Sequence, residues 1–170
     1  MRILILFVFV VTLQIANAQE TTGCRDSFNN QFDFWIGDWN VFDTSGTRIG
    51  ENVIKKDYDN CLLQEKWSSR GINRGTSLNY FDPKDSTWNQ LWVDNQGGIL
   101  KLKGNLVEHK MVLRSALITG DKVDFYYNQI SWIPKPDGSV HQVWEVYDDE
   151  HHLLQTAFHG VYTRKLKTKE

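Results

Sequence analysis

The stretch FDFWIGDWNV, residues 32–41, concentrates large aromatic side chains, among them Phe34, Trp35 and Trp39, around Gly37. Directly after it the sequence begins to alternate between apolar and polar residues. Such a concentration of aromatic rings is typical of two structures: a segment that closes one end of a β-barrel, or the wall of a binding site. The patterns in the rest of the chain are needed to choose between them.

Only the segment before Gly37 has a pattern that permits a helix. Residues 26–36 can form a short one, with Asp26 or Ser27 as its N-cap and Gly37 as its stop. Beyond Trp39 the chain alternates with period two, and turn signals recur about every 8 to 12 residues, as in antiparallel sandwiches and barrels. The pattern predicts about ten strands, near 39–44, 48–58, 62–70, 74–82, 86–94, 99–105, 108–118, 122–132, 139–147 and 153–164.

The connections between these strands are short, which favours an up-and-down barrel over a Greek-key sandwich. Closure of the sheet also removes the exposed edges that an open sheet of ten strands would carry. The chain shows no linker, internal repeat or low-complexity tract. We therefore predict an all-β protein with one barrel domain, residues 39–170, preceded by a lead-in over residues 19–38.

Residues 1–18 have the pattern of a signal peptide. Arg2 supplies a positive charge, residues 3–15 form an apolar run that is short for a bilayer span, and Ala16 and Ala18 supply the small residues of a cleavage site. We expect export to the periplasm or the medium, with no membrane association after cleavage.

Both cysteines, Cys24 and Cys61, lie in the exported part of the chain, and two cysteines in an oxidising compartment most simply form one disulfide. The formal net charge is −2, with 19 basic and 21 acidic side chains and no basic cluster. Nucleic acid is therefore not an expected partner. The sequence predicts no cofactor and leaves the oligomeric state open.

The Gly37-Asp38-Trp39 pattern at the start of the first strand resembles the entrance of calycin barrels, the lipocalin-like superfamily. The resemblance implies that Trp39 packs beneath the barrel floor against an arginine near the end of the last strand. Arg164, within YTRK, is placed to be that arginine.

Longer stretches resemble a bacterial family of secreted lipocalin-like domains of unknown function. They are FDFWIGDWNV, GTSLNYFDPKDSTWNQLWVDNQGG at 75–98, DGSVHQVWEVYDD at 137–149 and FHGVYTRK at 158–165. The resemblance extends over essentially the whole exported chain. It implies a calycin-type barrel and assigns no activity or ligand residues.

Alternation along the strands sorts side chains into an inner and an outer face. Lys66 belongs outside, so Glu65 and Trp67 are predicted to point into the barrel. The same parity places further polar and aromatic side chains inside, and we predict the whole set as ligand-binding: Glu65, Trp67, Ser77, Asn79, Gln90, Trp92, Gln142 and Trp144.

A lumen of aromatic rings with a few polar groups is typical of small-molecule sites, and it suits sugar-like or aromatic polar compounds better than fatty acids. The alternative is a barrel filled by polar groups that satisfy one another. Glu65 is also a candidate catalytic residue, because burial beside tryptophans raises the pKa of a carboxyl group towards that of a general acid or base. A purely structural Glu65 would instead pair with an arginine such as Arg164 or Arg70.

The histidines suggest no metal site, since no zinc-binding spacing is present. His159 is a separate alternative, because ten-stranded haem barrels of the nitrobindin kind carry their axial histidine in the final strand. Alternation nevertheless places His159 on the opposite face from Phe158 and Tyr162, which favours the outer surface.

Overall fold

The structure is a computed structural model that describes residues 23–166, so the predicted signal peptide lies outside the described residues. It contains one 3-10 turn, Asp33–Trp35, followed by strands only. The strands are β1 Gly37–Phe42, β2 Arg48–Asp57, β3 Leu62–Ser69, β4 Arg74–Asp82, β5 Thr87–Asp94, β6 Ile99–Val107, β7 Lys110–Arg114, β8 Ile118–Thr119, β9 Phe125–Pro134, β10 Val140–Asp148 and β11 Leu153–Arg164.

Ten of these strands form a closed antiparallel barrel. Each strand pairs with the next along the chain from β1 to β7, then β7 pairs with β9, β9 with β10, β10 with β11, and β11 with β1. The prediction of a closed all-β barrel of about ten strands is therefore confirmed. The architecture is consistent with a calycin or lipocalin-like fold.

The predicted seventh strand, 108–118, is interrupted in the structure. Its first part, β7, pairs with residues 129–132 of β9, and its second part, β8, pairs with the beginning of the same strand. Between them the backbone N–H of Ser115 donates to the carbonyl of Asn128, and the Ser115 hydroxyl accepts from the backbone N–H of Asn128. Because the hydroxyl takes up a backbone donor of β9, the strand can leave the ladder here without leaving that group unpaired.

The predicted helix at 26–36 is not formed; turns and the single 3-10 turn take its place. Backbone N–H groups of this segment bond to carbonyls three residues earlier, as from Trp35 to Phe32 at 3.1 Å. Asp26 caps a turn, accepting from the N–H of Asn29 at 2.8 Å. In a 3-10 turn residues three apart lie on the same side, so both Phe32 and Trp35 face the barrel.

Aromatic side chains close this end of the barrel. Phe32 contacts Trp35 and Trp132, with ring centroids 5.0 and 5.1 Å away, and Trp88 meets it edge-on at 5.5 Å. All four side chains are buried. The opening stretch of the sequence therefore forms a plug, the first of the two structures that its composition suggested.

Trp39 is fully buried at the edge of this plug. Its indole N–H donates to the carbonyl of Trp35 at 2.9 Å, and the guanidinium carbon of Arg164 lies 4.5 Å from the ring centroid. The two residues are also register partners across β1 and β11. Arg164 donates further to the carbonyl of Ile36, so the cation ties the last strand to the entering chain.

Cys24 and Cys61 form the predicted disulfide, with their Cα atoms 4.8 Å apart. The bond joins the lead-in to the turn before β3 and closes a loop with a sequence separation of 37 residues, which corresponds to about 4 kcal/mol by loop entropy. A disulfide indicates a compartment outside the cytoplasm. Within residues 23–166 no helix has the length and apolar character needed to cross a bilayer.

Candidate functional site

A cavity of about 1020 Å³ occupies the end of the barrel opposite the plug. Its rim includes the turn after β5, near Gly98, and residues 120–123 between β8 and β9. Its inner end is bounded by Glu65, Gln90 and Tyr162. The volume is at the upper end of the range of small-molecule sites.

The wall of the cavity is mainly aromatic and aliphatic. Trp67, Trp92 and Trp144 reach it from β3, β5 and β10, and Phe158 reaches it from β11. The rings of Trp67 and Phe158 meet edge-on, with centroids 6.0 Å apart. The aliphatic side chains of the wall include Ile49, Leu100, Ile118, Ile130, Val146 and Leu154.

The indole N–H groups of two of these tryptophans are bonded to asparagines. Trp67 donates to the Asn73 side-chain oxygen at 3.0 Å, and Trp144 donates to that of Asn128 at 2.8 Å. Their orientation is therefore held by the protein, and a ligand would meet mainly their ring surfaces.

Trp92 lies directly over the backbone of Gly75 on the neighbouring strand. A Cβ atom at this position would be 2.2 Å from the Trp92 ring. Only glycine leaves room for the indole here, so Gly75 determines the position of the Trp92 ring in the cavity wall.

A group of hydrogen-bonded polar side chains lies at the inner end of the cavity and behind it. The Glu65 carboxylate accepts from the Asn52 amide and from the Ser77 hydroxyl, each at 2.6 Å. The Asn79 amide donates to Ser77 at 2.8 Å, and the Gln90 amide donates to Asn79 at 2.7 Å. The donors thus form a chain that ends on the carboxylate.

On its other side this group continues through Tyr162. The Tyr162 hydroxyl accepts from Asn52 at 3.3 Å and donates to the side-chain oxygen of Gln142. Burial raises the pKa of Tyr162 well above its usual value, and the nearby charge of Glu65 adds to the effect. We refer to Asn52, Glu65, Ser77, Asn79, Gln90, Gln142 and Tyr162 together as the Glu65 cluster.

Glu65 is only 4% exposed, and burial raises the pKa of its carboxyl group to about 7. The hydrogen bonds from Ser77 and Asn52 act in the opposite direction but are the smaller effects. The expected alternative of an arginine partner is not found: Arg164 stacks on Trp39, and no ion pair joins Glu65 to a cation in the described part of the chain. The carboxyl group therefore keeps its proton to a higher pH than an exposed glutamate does.

The structure brings most of the predicted site residues together. Six of the eight line the cavity: Glu65, Trp67, Gln90, Trp92, Gln142 and Trp144. Ser77 and Asn79 point inwards as predicted, but they are fully buried behind the cavity wall. Their polar atoms are used within the Glu65 cluster, so their part is to support Glu65 and Gln90.

Sequence reasoning omitted several polar residues of the site, among them Asn52, Asn128 and Tyr162. Asn52 shares the inward parity of Ile54 in β2, and Asn128 shares that of Ile130 in β9. In β9 the signal was therefore present as a polar residue within an otherwise apolar inward row, whereas the same row of β2 also contains Arg48 and Lys56. Tyr162 was placed on the inner face without a functional role.

His159 lies on the outer face of β11 and is not among the residues that line the cavity. Its Nε2 atom is 3.4 Å from Nδ1 of His141 on the neighbouring strand. Across residues 23–166 no group of three or more metal-ligating side chains converges.

Comparison of the sequence with models of known protein families and with curated proteins finds no match to either.

Proposed function

We propose that the protein is an exported barrel that binds a small molecule in its open cavity. The observation that carries the proposal is the cavity itself, about 1020 Å³ with three tryptophans in its wall and amide and carboxyl groups at its inner end. A barrel with a purely structural interior would fill this volume with side chains. The disulfide supports export.

The lining favours a ligand with an apolar body and polar groups at one end. Ring surfaces of Trp67, Trp92 and Trp144 can stack on the body of such a ligand. At the inner end, Gln142 uses its oxygen on Tyr162 and Gln90 uses its amide nitrogen on Asn79. The remaining amide donor of Gln142 and the acceptor of Gln90 are left for hydroxyl or carbonyl groups of the ligand.

A thermal-shift screen of such compounds on the protein tests the proposal. For a ligand that the screen finds, Trp92→Ala should lower the affinity at least about tenfold, because a stacking surface is lost. Gln90→Leu should also weaken binding, since the ligand then faces an apolar side chain. If no compound raises the melting temperature, or if the binding of a hit is unchanged in both variants, the proposal fails.

A matched pair of glycine substitutions tests the wall without removing a ring. Gly75→Ala should move the Trp92 indole into the cavity, since the new Cβ would lie 2.2 Å from it, and should therefore weaken binding. Gly71→Ala is the control, because its nearest neighbour would be Ser69 Oγ at 3.6 Å. Equal affinity in the two variants would contradict this assignment of the wall.

A second candidate is an enzyme that uses Glu65 as general acid or base on a small polar or sugar-like substrate. It is favoured by the position of a carboxyl group with a pKa of about 7 on the cavity wall. The two functions differ in the response to Glu65→Gln: an enzyme should lose turnover about a hundredfold or more while it keeps binding.

A further inference from the structure

Glu65 is a buried carboxyl group whose direct partners are all neutral. Its two oxygens accept from Asn52 and Ser77, and Tyr162, the one other ionisable group of the Glu65 cluster, is an acid as well. An anion in such a place is costly, because neutral hydrogen bonds replace only part of the solvation by water. A positive charge that entered the cavity would remove this cost.

The wall next to Glu65 suits a positive charge. Trp67, Trp92 and Trp144 line the same cavity, and the faces of indole rings attract cations more strongly than those of other aromatic side chains. Because two of these indoles have their N–H groups bonded to asparagines, the electron-rich faces are what the cavity offers.

The charged side chains around the cavity also favour a positively charged ligand. The charged side chains that line the cavity besides Glu65 are Asp94, Asp121 and Lys122. Together with Glu65, the lining therefore carries three carboxyl groups and one amine. Low-dielectric walls concentrate the resulting negative potential at the mouth and in the interior, which raises the local concentration of cations.

We propose that the ligand of this cavity carries a protonated amine on an aromatic or otherwise apolar body, and that Glu65 is its countercharge. The inference rests on the proposed binding function and specifies its ligand class. The amine would be directed to the inner end, where it donates to the carboxylate of Glu65. The apolar body would lie between the tryptophans.

The hydrogen bonds around Glu65 permit both of its protonation states. In the ionised state Asn52 donates its amide to the carboxylate, and its own oxygen is buried without a partner in the described part of the chain. In the neutral state the Asn52 amide can be reversed, so that its oxygen accepts the carboxyl proton. Binding of a cation near pH 7 should therefore release a proton from Glu65.

The test uses three indole compounds with the same body: tryptamine, tryptophol and indole-3-acetate, which carry an amine, an alcohol and a carboxylate. Their affinities are measured by calorimetry at pH 5.5 and pH 8. At pH 8 tryptamine should bind at least about tenfold more tightly than tryptophol, and indole-3-acetate most weakly. At pH 5.5, where Glu65 holds its proton, the ratio between amine and alcohol should fall.

Two variants locate the effect. Glu65→Gln should abolish the preference for the amine and its dependence on pH, because the amide keeps the shape and cannot ionise. Glu108→Gln removes a carboxyl group from the exposed turn between β6 and β7 and should leave both unchanged. Proton release can be measured by repeating the calorimetry of tryptamine near pH 6.5 in buffers of different ionisation enthalpy. The observed binding enthalpy should then change with the buffer.

Equal affinity for amine and alcohol at pH 8 would overturn the inference and leave the proposed binding function standing. A preference that persists in Glu65→Gln would also overturn it, since the countercharge would then lie elsewhere. If none of the three compounds binds, the inference is wrong, and the proposed function is decided separately by the thermal-shift screen.

Discussion

Replacement of Glu65 by glutamine should make the protein more stable at neutral and alkaline pH. Burial raises the pKa of this carboxyl group from 4.5 to about 7. Between these two values the folded protein holds a proton that the unfolded chain has released. The free energy of unfolding therefore falls as the pH rises from about 4.5 to about 7 and is constant above that range with respect to this group.

The size of the effect follows from the same two pKa values. One pKa unit corresponds to about 1.4 kcal/mol, so the full shift corresponds to about 3 kcal/mol at pH 8. Glutamine has nearly the same shape, and it can accept from Ser77 and donate to a reversed Asn52 amide. The stability difference between the variant and the native protein should thus increase by about 3 kcal/mol between pH 4.5 and pH 8.

The measurement is urea denaturation of both proteins across this pH range, with Glu108→Gln as the surface control. Other carboxyl groups titrate as well, but with the opposite sign. The pKa values of Asp43, Asp85, Asp137 and Asp148 are lowered by hydrogen bonds within their turns or to a neighbouring strand. These aspartates are present in all three proteins, so their contributions cancel in the stability difference between a variant and the native protein. Parallel pH profiles for the native protein and Glu65→Gln would refute the assignment of a buried, protonatable carboxyl group.

Three further predictions concern the scaffold and the haem alternative. Trp39→Ala should lower the free energy of unfolding by about 3–5 kcal/mol in urea denaturation, since it removes a fully buried ring and leaves Arg164 without its stacking partner; a loss below 1 kcal/mol would contradict this role. Cys24→Ser with Cys61→Ser should cost about 4 kcal/mol by the same measurement, and reduction should destabilise the native protein but not the double variant. Incubation with ferric haem should give no sharp Soret band that His159→Ala abolishes, because this side chain lies outside the cavity; such a band would contradict the placement.

The inner face of the barrel could be predicted from the sequence because the period of a strand is two. Once Lys66 is placed outside, Glu65 and Trp67 must point inwards, and both line the cavity. The same rule places Trp92 and Trp144 correctly. Burial of one face strongly specifies the register, so no knowledge of the pairing was needed for this step.

Depth along the barrel axis could not be predicted in the same way. Ser77 faces Glu65 across the β3–β4 pair, and Asn79 faces Gln90 across the β4–β5 pair. The two members of each pair stand at the same level, and only the longer side chain of each pair, that of Glu65 or Gln90, reaches the cavity. Alternation distinguishes inside from outside, but the level at which a side chain stands depends on the stagger of neighbouring strands.

The helix was wrong for a related reason. Capping and stop signals at Asp26 and Gly37 describe what the segment could do alone. The plug requires Phe32 and Trp35 to stand on the same side and to meet Trp132 within a short distance, which a 3-10 turn provides. Tertiary packing therefore overrode a local preference that is weak in so short a segment.

The identity of residue 65 separates a structural from a functional interpretation of the Glu65 cluster. Glutamine at this position would satisfy Ser77 and Asn52 equally well and would spare the barrel about 3 kcal/mol at neutral pH. Ser77 donates to Glu65, Asn79 donates to Ser77, and both of these side chains are fully buried. A carboxyl group that is costly to the fold, supported by fully buried partners and open to a cavity on one side has the features expected of a functional group rather than a structural one.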